Sequence, residues 1–148
     1  MDSDNTLAYK SYSLAVQGVL VDYQFIEEGL RMYAALSYDL IRLRLGKDLP
    51  FKFEYADTEK DSLGKLVSRY EKLSSNITIM KELKELVPHR NQVAHQSFLH
   101  TTEQQRSAEY LDAQTKQLLE LRTRTKSLVG ALFGDVAKVE TLIKAHRN

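Results

Sequence analysis

Apolar positions recur at helical spacing along almost the whole chain, and strand-like alternation is hard to find. The run from Ser13 to Leu45, SLAVQGVLVDYQFIEEGLRMYAALSYDLIRLRL, carries two interleaved stripes. Leu14, Val21, Phe25, Met32, Leu36 and Leu43 form one; Val16, Leu20, Tyr23, Ile26, Leu30, Ile41 and Leu45 form the other. A helix apolar over so wide an arc must be covered on more than one side, by neighbouring helices or by a second subunit. Gly46 and Pro50 then break the pattern. Residues 46–60 read as a long loop whose Phe51, Phe53 and Tyr55 pack back on the helices.

A second helix is expected from about Asp61 to Leu73, then a short turn at Ser74, Ser75 and Asn76, and a third helix from about Ile77 to Phe98. Pro88 should kink that helix or start its second half afresh, because its ring lacks the N–H and crowds the preceding turn. Thr101 with Gln104, or Thr102 with Gln105, offers a capping box for a fourth helix reaching about Val129. Gly134 and Asp135 look like a stop and restart before a short last helix to about Ala145. Residues 1–6 are expected to be disordered. The prediction is an all-α chain, one domain over residues 1–148, built as an up-and-down bundle of about four or five helices.

Composition narrows the chemistry. Glycine and proline are scarce, at six and two, which suits helices, and 43% hydrophobic residues suffice for a real core. The absence of cysteine excludes disulfides, thiolate catalysis and a cysteine zinc site, and fits a reducing cytoplasm. No basic n-region leads an apolar run at the N-terminus, and stretches such as LVGALF are too short to span a bilayer, so a soluble, cytoplasmic protein with no membrane partner is expected. Lysine and arginine, 21 together, nearly cancel 20 acidic residues, for a net charge of +1. A nucleic acid would therefore have to be met by a local patch.

The stretch VPHRNQVAHQSF, Val87 to Phe98, concentrates polar groups on a helix that otherwise reads as core. At about 100° per residue, Leu83, Leu86, Val87, Val93 and Ala94 make an apolar stripe with Arg90 inside it. Asn91 and His95 fall about 40° apart on its flank. An arginine in such a stripe is costly to bury without a carboxylate, a phosphate or water to meet it. Two readings follow from the residues. Arg90 pairs with an internal acid such as Glu27, Glu28 or Asp39 and His95 is an ordinary helix histidine; or the two form a phosphate-cleaving pair, in which imidazole moves a proton and guanidinium binds phosphate oxygens. RNA carries its own nucleophile, the 2′-hydroxyl, so the second reading needs no metal and no protein nucleophile.

RNQVAH, with LGKLVSRYEKL one helix upstream and LKELV leading in, resembles the signature of the HEPN (higher eukaryotes and prokaryotes nucleotide-binding) superfamily: an arginine, a polar residue, a short spacer and a histidine in a compact helical bundle. The resemblance is carried by Leu63 to Phe98. It implies a metal-independent endoribonuclease, a toxin or defence-system component acting on RNA as a homodimer with a cognate antitoxin, with two motif copies sharing one cleft. In that role His95 is the general acid or base, Arg90 binds the scissile phosphate and Asn91 orients the pair, giving a 2′,3′-cyclic phosphate and a 5′-hydroxyl. Other members of the superfamily are non-catalytic RNA- or nucleotide-binding or dimerisation modules, the alternative for this chain. Ser97 stands where some members carry a tyrosine that the antitoxin modifies, so control through that tyrosine is not implied.

The remaining candidates are weaker. His89, His100 and His146 do not form a metal set, no cofactor is expected, and His89 beside Arg90 reads as surface decoration. The basic run RTRTK, Arg122 to Lys126, has the charge to touch a phosphate backbone, though such helix faces are usually just solvated. Tyr9, Tyr12, Tyr23, Tyr33 and Tyr38 read as core or interface packing.

Overall fold

The structure is a computed structural model that describes the backbone of residues 2–102 and 107–148 and the side chains of 4–95 and 107–148. Among the described residues it is all-α, with no strand: α1 spans Asp2–Leu45, α2 Leu63–Leu73, α3 Ile77–Thr102 and α4 Ala108–Arg147. No described helix is long and apolar enough to cross a membrane.

The core is built from one stripe of each helix. Val19, Tyr23, Ile26 and Leu30 of α1, Leu66 and Tyr70 of α2, Leu83 and Leu86 of α3, and Leu111 and Leu132 of α4 are all essentially inaccessible. Of the two stripes on α1, the one through Tyr23, Ile26 and Leu30 is therefore the buried one. The other stays outside at Leu14, Val21 and Phe25 and is half-buried at Met32, Leu36 and Leu43.

Direction follows from which residues meet. Arg122 lies over Gly18, Thr125 bonds Asp22 and Leu132 lies over Gly29, so α1 and α4 run side by side in the same direction. Asn76 bonds Asp135 while Arg124 meets Glu82 and Glu85, so α3 runs against α4. Glu71 pairs with Lys84, and Leu63 shares a cleft with Val87 and Arg90, so α2 and α3 form an antiparallel hairpin. The alternation expected of an up-and-down bundle thus holds from α2 to α4 and fails between α1 and α2. The physical reason is the loop. Gly46, with φ +64°, caps α1, its N–H reaching the Arg42 carbonyl. The chain then turns back along α1: Phe51 and Phe53 stack on Tyr38 at 5.5 and 4.0 Å, the 3₁₀ turn Tyr55–Thr58 follows, the Tyr55 hydroxyl bonds Glu28 and the Thr58 carbonyl accepts from Arg31. That return lets α2 start beside the middle of α1.

Three expected boundaries are corrected. Helix α1 begins at Asp2, so residues 2–6 are not a disordered lead: Ala8 and Tyr12 are buried, and a helix nucleated there extends cooperatively, with Asp4 near its positive end. Helix α3 is uninterrupted at Pro88, which is exposed, leaving the bond it cannot make on the solvent side of the helix. Helix α4 continues past Val129 and through Gly134 and Asp135 to Arg147. Asp135 there is not a cap but a buried acceptor, taking bonds from the Tyr70 hydroxyl at 2.6 Å and the Asn76 amide at 3.4 Å. The cap of α4 is Ser107, which accepts from the Tyr110 N–H; the boxes proposed at Thr101 and Thr102 lie outside the described residues.

Candidate functional site

Helix α3 changes character at Pro88. Before it, Ile79, Leu83 and Leu86 are buried, and the Leu86 carbonyl accepts from the Tyr23 hydroxyl deep in the core. After it, among the residues whose side chains are described, Val93 alone is buried, while Arg90, Asn91, Ala94 and His95 are exposed. The Arg90 side chain is 45% exposed. At this level the neighbouring helices stand apart and leave clefts on both sides of the guanidinium.

One cleft, of about 470 Å³, lies between α1, the start of α2 and α3, lined by Glu27, Ser62, Leu63, Gly64, Val87, Arg90 and Asn91 with Asp61 at its base. The other, of about 180 Å³, is lined by Leu20, Tyr23, Gln24, Glu27, Arg90 and Ala94. Arg90 and Glu27 belong to both. Their ion pair is 3.9 Å, and Glu27 also meets Arg31 at 3.7 Å, while Arg90 donates to the Asn91 side chain at 3.3 Å. Of the three acids considered as partners, Glu27 is the one that pairs. Glu28 turns to Arg31 and Tyr55, and Asp39 to Arg42. A long, half-exposed pair of this kind contributes at most about 1 kcal/mol. It orients Arg90 without consuming it.

Burial pushes the Asp61 carboxyl toward neutrality, but hydrogen bonds and ion pairs from Arg69 and Lys65 outweigh it and hold the group below its usual range. Asp61 is thus a fixed anion pinned to α2. His95 makes no hydrogen bond or ion pair with any described residue. Five positions apart on a helix, Arg90 and His95 point about 140° apart, with Asn91 between them. Within one chain the motif's arginine and asparagine are brought together, and the histidine is not brought to the arginine. The side chains of Ser97, Phe98 and His100 lie outside the described residues.

The basic run is largely committed elsewhere. Arg124 donates to Glu82 and Glu85 at 2.6 and 2.7 Å, and those carboxylates hold its guanidinium above its usual pKa. Arg122 lies 3.6 Å from buried Asp22, and Lys126 makes no ion pair with a described residue. His89 is exposed on the opposite side of α3 from Asn91, in a cleft with Gln92, Gln114 and Gln117. Among the described residues no three His, Asp or Glu side chains converge to hold a metal. Sequence reasoning named Glu27 among the acids that pair with Arg90, and Glu27 is the one that does; what it did not assign is Asp61, which lines the larger cleft. The i,i+4 spacing of Glu27 and Arg31 was a readable signal for a charge cluster on α1. For Asp61 the i,i+4 spacing to Lys65 was the local signal, while its closer partner Arg69 lies eight residues away.

Compared with family models, curated proteins and solved structures, the chain finds no match.

Proposed function

We propose that this chain is a HEPN-like, metal-independent endoribonuclease of the cytoplasm, acting as a homodimer on RNA, in the manner of a toxin or defence component restrained by a cognate antitoxin. The reading is carried by one observation: past Pro88, α3 presents Arg90, Asn91 and His95 to solvent, with Arg90 oriented by Glu27 and Asn91 where two clefts meet. Polar groups with no packing role, on a helix whose other half is core, are where chemistry is expected.

The chemistry follows from the groups. Imidazole takes the proton from a ribose 2′-hydroxyl, the 2′-oxygen attacks the adjacent phosphorus, and the bond to the 5′-oxygen breaks. The leaving 5′-oxygen is protonated, and the products are a 2′,3′-cyclic phosphate and a 5′-hydroxyl. Arg90 binds the non-bridging oxygens as charge builds on them, and Asn91 holds the guanidinium and the strand in register. One chain supplies these groups on diverging faces, so the reaction calls for a second copy. His95 of one protomer then serves as base and His95 of its partner as acid, across a two-fold axis.

The rival reading, a non-catalytic RNA- or nucleotide-binding or dimerisation module of the same kind, is favoured by the carboxylate of Glu27 beside Arg90, which offsets part of its charge. Incubation with total RNA and a DNA of matched sequence, in chelator, separates the two. The ribonuclease cuts RNA alone, leaves cyclic phosphate ends, and loses the activity in Arg90→Ala and His95→Ala. Intact RNA after prolonged incubation with folded, dimeric wild type favours the binding module.

A further inference from the structure

The outer stripe of α1 is apolar and bare. Leu7 is 65% exposed, Leu14 62% and Phe25 51%, with Val21 also exposed between them. With Ser11 and Gly18 they fall at alternating four- and three-residue steps on one face, the seam spacing of a helix that packs on another helix over ~27 Å. None of the four large side chains belongs to the buried cluster of the bundle. Beside the stripe runs α4, in the same direction, with Arg122 over Gly18 and Thr125 at Asp22. One turn before Arg122, and so level with the middle of the stripe, α4 exposes Leu119 at 51%. Two turns to either side of Leu119, on the same flank, stand exposed Asp112 and Lys126.

We propose that this face, Leu7, Leu14, Val21 and Phe25 of α1 with Leu119 of α4, binds a second copy of the chain with the two α1 helices antiparallel. Three observations select that occupant. Five such side chains expose on the order of 100 Å² each, so two copies remove ~1,000 Å² of mostly apolar surface, near the threshold for a specific interface. The stripe is self-complementary when reversed about its middle: Ser11 of one copy meets Val21 of the other, Leu7 meets Phe25, and Leu14 meets the Arg122 side chain that lies over Gly18. The charges agree with the same operation, since reversal about Leu119 sets Asp112 of one copy against Lys126 of the other, twice.

The same two-fold gives the candidate site its second half, a step that rests on the ribonuclease reading above. Arg90 shares its smaller cleft with Leu20 and Gln24, the residues adjoining Val21 and Phe25. Because α3 runs against α4, which lies parallel to α1, α3 also runs against α1, and His95 lies further toward the level of the stripe's middle. An antiparallel pair centred there leaves the two α3 segments on the same flank of the dimer, with their motifs bordering one groove.

Light scattering across a concentration series tests the interface on the full chain. Wild type is expected to be dimeric at micromolar concentration, and Leu14→Glu with Phe25→Glu to weaken association at least ~tenfold with unchanged helical circular dichroism. Asp112→Lys alone weakens the dimer, and adding Lys126→Asp restores it. A wild type monomeric at high micromolar concentration, or a dimer indifferent to the Leu14 and Phe25 substitutions, overturns the proposal. RNA cleavage is read on the same samples. A seam-dependent dimer that cuts no RNA leaves the interface standing and removes the ribonuclease, whereas cutting by a dimer indifferent to the seam does the reverse.

Discussion

Two polar clusters sit on helices of this bundle, and their surroundings separate them. Asp135, in the middle of α4, is buried and receives the Tyr70 hydroxyl and the Asn76 amide, with Lys138 3.7 Å away. It ties α4 to α2 and to the α2–α3 turn. The other cluster, Arg90, Asn91 and His95, is exposed, loosely bonded to Glu27, and joins no two elements tightly. A buried polar group must be satisfied, so its partners are evidence of a structural role. An exposed group held in orientation with spare donors is free to meet a ligand. Asp22, bonded by Thr125 at 2.9 Å and flanked by Arg122, belongs with Asp135.

The comparison breaks first, and with the largest effect, at the buried cluster. Asp135→Ala leaves the Tyr70 hydroxyl and the Asn76 amide without their acceptor and is expected to lower unfolding stability by about 3 kcal/mol in urea titrations. A loss below about 1 kcal/mol would show that Asp135 is not the pin described. Next comes the boundary between the two halves of α3. Pro88→Ala restores a missing backbone bond at an exposed position of a continuous helix, so a stability gain of about 1–2 kcal/mol is expected in the same titration.

Buried tyrosines give a pH signature confined to the core. Burial pushes Tyr23 up to about 12, Arg124 opposing slightly, and Tyr12 likewise to about 12, with Tyr110 and Tyr9 adding to the effect of burial. For both, the folded value lies above the unfolded value of about 10. Their contribution is therefore full below about pH 10 and is lost as pH rises toward 12. Alkaline titration of circular dichroism should show unfolding in that window, with Tyr23→Phe reducing its steepness. The smallest stability change belongs to the exposed cluster. Arg90→Ala and His95→Ala should each stay within about 0.5 kcal/mol of wild type while losing RNA cleavage.

The helices and their start signals were legible where the determinants are local. The short turn read at Ser74 to Asn76 does precede α3, where Asn76 accepts from the Ile79 N–H. What could not be read is set by long-range contacts. Asp135 looks like a helix stop beside Gly134 until Tyr70, 65 positions away, is found bonded to it. That Phe51 and Phe53 pack back on the helices was read, but not that Tyr38 is their partner, on which the shared direction of α1 and α2 depends. Arg90, Asn91 and His95 were legible as a set through their spacing, and Glu27 as a candidate partner through its charge. The exposure of Arg90 was not, because helical periodicity gives the direction of a side chain and says nothing of how far the neighbouring helices stand away.

The most direct measurement is RNA cleavage in chelator by His95→Ala beside wild type, with thermal unfolding recorded on the same preparations. The account predicts superimposable unfolding and no cleavage by the variant. Equal cleavage by both proteins, or a variant that unfolds well below wild type, would contradict the claim that His95 is there for chemistry and not for the fold.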